Sequence, residues 1–379
     1  MKLKLLPGVI LPALLVAPAA WACGGFFCSA TPVLQARERV VFEVLGDQTT
    51  AYVQIFYSGN DRDFAWIVPV PSTPEVTVGV GDRMFDALES QTRPVVVSPT
   101  NNAAIAALDA PAGCGDFSGG GRASGPIVDT GPPKLNLRSV PRPEVTIWQA
   151  EQVGPYEHVT ISAERASDLN TWLALNGYRV QPGADPIVQS YLDQGMKLLA
   201  LKLRPEATAS AIEPVRLRYQ SEQGCVLPLR LTSIAAVPNM EVVVWVFGAG
   251  PAAPVNVPTV EVELAGLETT AQYESALPGA IDAGGDGFIV EFAQPNHRLS
   301  GQGDPELTDL LDRNAYVTRL RSFLDPEEMT VDPDFQVDHR LPEVSNVIVS
   351  GVRSAGLSWV SATLWLLFFV LPSLRRKQQ

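Results

Sequence analysis

One stretch limits the fold before any other. Ser354 to Leu374 carries no charge, is strongly apolar after Gly356, and is bracketed by Arg353 and by Arg375-Arg376-Lys377. As a helix at ~1.5 Å per residue it would extend roughly 30 Å, the thickness of a hydrocarbon core. Trp359 sits near one end, where amphipathic rings settle at a membrane interface. The denser positive cluster is C-terminal. The expectation is therefore a transmembrane helix over 354–374, a juxtamembrane stretch over 341–353, and a cytoplasmic tail over 375–379. A removable sorting tail shares this layout, but its usual short motif is not evident in Ser350-Gly351-Val352.

The other end gives the same orientation. Lys2 and Lys4 open the chain, Leu5 to Ala20 is a short Pro-interrupted apolar run, and Ala20-Trp21-Ala22 offers small residues at the two positions a signal peptidase reads. Residues 1–22 are thus expected to be a signal peptide, with the rest exported. Cleavage would leave Cys23 first, which raises acylation as a rival reading; bulky Trp21 and Ala20, where a lipobox carries Leu, argue against it.

Between the ends, Gly (30) and Pro (32) are frequent and charged residues make up only 18%, the mix of a strand-and-turn protein. Setting aside the six basic residues of the two ends leaves 22 basic against 41 acidic side chains, a net of −19. Such a surface repels phosphate backbones, which excludes nucleic acid as a partner. It suits solubility, cations or a basic partner.

Four cysteines remain after cleavage: Cys23, Cys28, Cys114 and Cys225. An even number in an exported chain suggests two disulfides among three pairings. The short Gly-turned loop Cys23-Gly24-Gly25-Phe26-Phe27-Cys28 favours Cys23 with Cys28, leaving Cys114 with Cys225. Four intervening residues, against the two of thioredoxin-type chemistry, weaken a redox reading of Cys23 and Cys28.

Organisation along the chain follows turn and periodicity signals. A β-rich block spans 23–98, with strands expected at Arg39–Leu45, Thr50–Tyr57, Phe64–Val70 and Val76–Val80. In the third, Phe64, Trp66, Val68 and Val70 share a face. Asp82 can cap a helix with Met84, Phe85 and Leu88 on one side. Residues 99–143 are rich in Ala, Gly, Pro, Ser and Asn and read as a linker or insertion. A second α+β block spans 144–340. Its expected strands are Glu144–Gln149, His158–Ile161, Met196–Leu203, Val215–Tyr219, Val226–Thr232, Glu241–Phe247, Val260–Leu264 and Phe288–Phe292. Its expected helices are Ala163–Asn176 capped by Ser162, one begun by Asp185-Pro186 and ended by Gly195, and one begun by Asp304-Pro305. The fold class is α+β, largely antiparallel sheet with a few short helices, plus the C-terminal transmembrane helix.

No chemical motif stands above its structural explanation. Gly115-Asp116-Phe117-Ser118-Gly119-Gly120 is similar to a serine-protease nucleophile segment, but Phe117 breaks the spacing and no His precedes it. His158, His297 and His339 are unpaired in sequence. Two acidic stretches offer oxygen ligands suited to calcium: Asp282 with Asp286, and Asp325, Glu327, Glu328, Asp332, Asp334 and Asp338. Neither has the alternating-ligand loop of a calcium motif, and turn chemistry explains both. No catalytic, cofactor or metal residue is assigned.

Several stretches together resemble the bacterial domain of unknown function 2330 family. They are Ala22-Cys-Gly-Gly-Phe-Phe-Cys28, Arg37-Glu-Arg-Val-Val-Phe42, Val53-Gln-Ile-Phe-Tyr57, Asp63-Phe-Ala-Trp-Ile-Val-Pro-Val-Pro71, Trp172-Leu-Ala-Leu-Asn-Gly-Tyr178, Pro214-Val-Arg-Leu-Arg-Tyr219, Pro228-Leu-Arg-Leu-Thr-Ser233 and Val317-Thr-Arg-Leu-Arg321. The resemblance implies an exported, often membrane-tethered bacterial protein and supplies no activity. The functional expectation is a non-catalytic binding or scaffolding ectodomain, held at the bacterial cell membrane and facing an envelope protein partner. The alternatives are an extracytoplasmic hydrolase assembled in three dimensions around Asp63 or His158, and a thiol-redox protein using Cys23 and Cys28.

Overall fold

The computed structural model describes residues 26–28, 34–58, 64–78, 82–97, 143–176, 184–204, 213–221 and 224–350. Strands in the first part are β1 (Phe26–Cys28), β2 (Leu34–Leu45), β3 (Gln48–Ser58), β4 (Phe64–Val70), β5 (Glu75–Val78) and β6 (Val95–Val97). After residue 142 come β7 (Val145–Val153), β8 (Tyr156–Ala163), β9 (Lys197–Leu203), β10 (Val215–Gln220), β11 (Cys225–Val226) and β12 (Ala236–Gly248). The last are β13 (Ala252–Pro254), β14 (Ile289–Pro295), β15 (Tyr316–Leu324), β16 (Asp334–Val337) and β17 (Val347–Val349). The helices are α1 (Asp82–Thr92), α2 (Ala166–Leu175), α3 (Ala184–Asp193), α4 (Leu229–Thr232), α5 (Thr270–Ala283) and α6 (Pro305–Arg313).

Two large sheets organise these strands. One has the order β1-β4-β9-β8-β7 and is antiparallel throughout. The other has the order β14-β15-β12-β2-β3-β10-β5, with one parallel pairing, β2 against β12. Each sheet draws strands from both sides of residues 99–143.

Alternation along the strands decides which faces meet. Val68, Leu199, Leu201 and Leu203 of the five-stranded sheet pack against Val76, Val215 and Leu217 of the seven-stranded one. The opposite face of the smaller sheet, with Ile67, Ile161 and Leu198, takes Leu169, Leu173 and Val188 of α2 and α3. The outer face of the larger sheet, with Val41, Tyr52 and Trp245, takes Phe85, Leu88, Leu307 and Leu310 of α1 and α6. The order is therefore helices, sheet, sheet, helices.

That outer face also buries charge. Register places Arg37 and Arg39 of β2 on the same side as Arg319 and Arg321 of β15. Arg319 is 0% exposed, with Nε 2.7 Å from Glu291 and Nη2 3.0 Å from Glu89 of α1. Arg321 meets Glu241 and Glu274, each at 2.7 Å. Arg39 donates from Nε to Gln54 at 2.6 Å and pairs with Asp86 of α1 at 3.1 Å. The arginines of the two family-like stretches thus tie α1, through Asp86 and Glu89, and α5, through Glu274, to the sheet.

Local signals explain several element ends. Asp304 caps α6, its carboxylate accepting from the Leu307 amide at 2.9 Å, with Pro305 in the first turn. Gly195 takes φ +75° directly after α3, as a helix stop requires.

Other expectations are corrected. The fold class is mostly β-sheet with a few short helices, as expected, but no helix among the described residues is long and apolar enough to cross a membrane. The stretch 354–374 lies outside the described residues, as do residues 1–22. Val226–Thr232 is not one strand. β11 ends at Val226, and Pro228 leads into the turn of helix α4. Val260–Leu264 forms no strand; its neighbour Thr259 makes a single bridge to Phe288. α2 begins at Ala166 with Arg165 at the cap position, because β8 runs on through Ser162 to Ala163, and the Ser162 hydroxyl accepts from Trp148 Nε1 at 2.8 Å.

Candidate functional site

The two sheets do not close on each other everywhere. A small cavity of about 40 Å³ lies between them. β2 and β3 form one wall, β4 the other, and the β11–α4 segment closes one side. The lining is almost wholly apolar, with Phe42, Trp66, Leu217 and Pro228 among its members. Polar lining is confined to Gln35, Glu38, Tyr219 and Thr232. A second, smaller depression shares Pro69, Tyr219, Val226 and Pro228 with the first and adds Tyr191 and Pro71.

Among the described residues, Glu38 is the one charged residue of the lining. Its place follows from backbone irregularity. Gln35 and Glu38 are three apart, so a regular strand would send them to opposite faces. The β2–β3 pairing shifts register between Gln35 and Arg37, and this shift puts both on the cleft side. Gln35 Nε2 donates to Glu38 Oε2 at 2.9 Å. Arg37 and Arg39, its neighbours in sequence, turn the other way, to Glu241, Glu89 and Asp86. Among the described residues no Lys or Arg pairs with Glu38. Burial pushes its carboxyl up to about 7, against hydrogen bonds from Gln35 and Thr232 that hold it down.

The residues singled out from sequence fall elsewhere. His158 is 3% exposed on β8, beside Leu201 of β9, and neither ring nitrogen has a hydrogen-bond partner among the described residues. Burial lowers its pKa, with Glu151 acting in the opposite sense. It does not line the cleft. His297 lies in the turn Asn296–Arg298, and His339 packs against Gly250. Asp63, Cys23 and Cys114 lie outside the described residues, and Cys28 ends β1. Cys225 is a free, buried thiol, and burial pushes its pKa up. Trp66, by contrast, joins the core face as expected and also lines the cleft.

The two acidic stretches meet. Asp282, Asp286 and Glu328 bring carboxylate oxygens within 4.8 Å of one another. A hydrogen bond from the Asp325 amide lowers the Glu328 pKa, but burial and the charges of Asp286, Asp325 and Asp282 outweigh it, and the net direction is up. Most other acids there have local duties. Asp332 accepts from the Tyr191 hydroxyl at 2.8 Å and the Arg230 amide at 2.9 Å. Asp325 accepts from the Asn239 amide, and Asp338 pairs with Arg340. Asp282, Asp286 and Glu328 form an exposed or half-exposed acidic group, the kind surfaces carry without an ion.

Sequence reasoning missed Glu38. It lies between two arginines, just before the strand expected from Arg39, and only the register shift reveals that it turns inward.

No curated protein matches the chain. Two solved structures match it in part: a mutated baculovirus P35 after caspase cleavage, at 10% identity and TM-score 0.27, and the caspase-8/P35 complex, at 8% and 0.26. Each match covers 56% of this chain. The chain spans 66% and 64% of those two, less than two thirds. Likeness at that level carries no argument about fold or function. A family profile described as an uncharacterized protein conserved in bacteria matches residues 17–336. The chain belongs to this family, DUF2330.

Proposed function

We infer that the chain is an exported, non-catalytic binding module of the bacterial envelope, with the inter-sheet cleft as its recognition site. The observation that carries this reading is the cleft's chemistry. Among the described residues, aromatic, aliphatic and proline side chains surround a single carboxyl, and no His, Cys or Ser lines the cleft. Apolar walls with few, convergent polar groups are the common form of a ligand site. Export rests on the leader-like residues 1–22 and the acidic balance of the folded part. A general-acid role for Glu38 is the second reading, favoured by its raised pKa. It lacks a second titratable group suited to act as a base at the cleft wall.

In-cell crosslinking with fractionation tests the first reading. The expected result is recovery outside the cytoplasm, crosslinked to a reproducible envelope component through residues near Trp66 or Pro228. Recovery in the cytoplasm, or a clean absence of any component, would overturn it.

A further inference from the structure

Four buried polar atoms at one edge of the smaller sheet have no hydrogen-bond partner among the described residues: both ring nitrogens of His158, Thr160 Oγ1 and Gln149 Oε1. Register gathers them. Gln149 and Glu151 of β7 stand directly opposite Thr160 and His158 of β8, on the face that carries Leu199 and Leu201 of β9. His158 is 3% exposed and Thr160 0%. Buried polar atoms in this condition forgo the hydrogen bonds that water would give them, so opening this edge relieves all of them at once.

His158 makes that balance depend on pH. A neutral imidazole can lie in the layer between the sheets, but an imidazolium finds no acceptor among the described residues there. The surrounding elements supply little charge. β9 presents Leu199 and Leu201 beside the ring, and Lys197, farther along that face, is held by the Trp148 ring and the Thr73 hydroxyl. Lys202 and Glu157 pair on the reverse face. Across the layer β5 and β10 present Val76 and Leu217, while Glu75, Arg216 and Arg218 alternate to the outer face. β4 presents Val68. On β8 itself the Tyr156 hydroxyl donates to the Glu213 carbonyl at 2.8 Å. Burial disfavours the charged ring and Glu151 favours it; burial wins, so the His158 pKa lies below its ordinary 6.5.

We propose that the β7–β8 hairpin is an acid-released flap, in which protonation of His158 parts the hairpin from the larger sheet and opens the layer at that edge. The hairpin is placed to move. β7 is the outermost strand of its sheet, and most of its side chains are exposed. Its turn meets the larger sheet at Gly154, φ +53°, where an added Cβ would overlap Val78. The closed hairpin has its full stability above 6.5 and loses it as pH falls from there toward the lower pKa of the buried ring. One pH unit below the ordinary value, the open form gains up to about tenfold.

Hydrogen–deuterium exchange of the full chain at about pH 7.5 and about pH 5.5, corrected for intrinsic exchange, tests this. Peptides covering β7 and β8 are expected to lose protection by up to about tenfold at the acid pH, while those covering β12 and β15 do not lose theirs. His158→Leu removes the ionisable ring and should abolish the difference. NMR of the imidazole carbons, which needs no variant, should show His158 titrating below 6.5. Equal protection at both pH values, a loss spread evenly over the chain, or a difference that survives His158→Leu would overturn the proposal. If the variant does not fold, the imidazole titration decides, and a midpoint at or above 6.5 overturns it.

Discussion

Replacing Glu38 by Gln should stabilise the protein at alkaline pH and do little at acid pH. The folded carboxyl titrates at about 7 against an ordinary value of 4.5. Between those values the folded state keeps a proton that the unfolded state has released. Stability is therefore lost as pH rises through this window, and the full penalty stands above pH 7. A displacement of that size corresponds to about 3 kcal/mol. Gln keeps the shape and cannot ionise, so the variant escapes the penalty. Urea unfolding of both proteins, run from near pH 5 to near pH 8.5, reads the effect as a difference between them, in which all other titrations cancel. The difference should be small at the acid end and approach about 3 kcal/mol in favour of the variant at the alkaline end. A difference that stays constant across the range would refute the reasoning, since Glu38 would then not be a carboxyl held neutral by burial.

Three further outcomes follow from other parts of the fold. Arg319→Met removes the 2.7 Å partner of the buried Glu291 carboxylate, leaving it Arg321 at 3.4 Å and the Tyr273 hydroxyl, and should cost about 3 kcal/mol by chemical denaturation, with Glu291→Gln in the same chain restoring part of it. Asp304→Ala removes the α6 cap and should cost about 1 kcal/mol, visible as a lower urea midpoint with unchanged slope. Cys225 should resist a thiol reagent in the native protein and react promptly in urea, measured as adduct mass on its own peptide.

Much of the scaffold was legible from residues alone. A period-two pattern located β4, a short apolar run located β9, and Asp304-Pro305 and Gly195 gave helix ends, because each rests on interactions within a few residues. What failed depended on distant partners. β15 carries Arg319 and Arg321 where a buried strand shows apolar residues, and only the facing Glu89 and Glu291 make that placement tenable. α5, which contains Pro278, was not expected; its Thr269 capping box and the packing of Tyr273, Leu277 and Ile281 hold it. Glu38 needed a register shift, and the meeting of Asp282, Asp286 and Glu328 needed the tertiary fold.

The interleaving of the two sheets bears on how the chain reaches its native state. β2 lies at the middle of the larger sheet, and its parallel neighbour β12 comes roughly two hundred residues later, as in Val40 against Val244. Neither half can complete a sheet by itself. Until β12 and β15 arrive, β2 and β3 form a hairpin with open edges, a template for pairing with the wrong chain. Such long-range order makes for slow folding. A nascent copy needs protection until about residue 324 is available, and two fragments cut between β6 and β7 should reassemble into one body where neither folds alone.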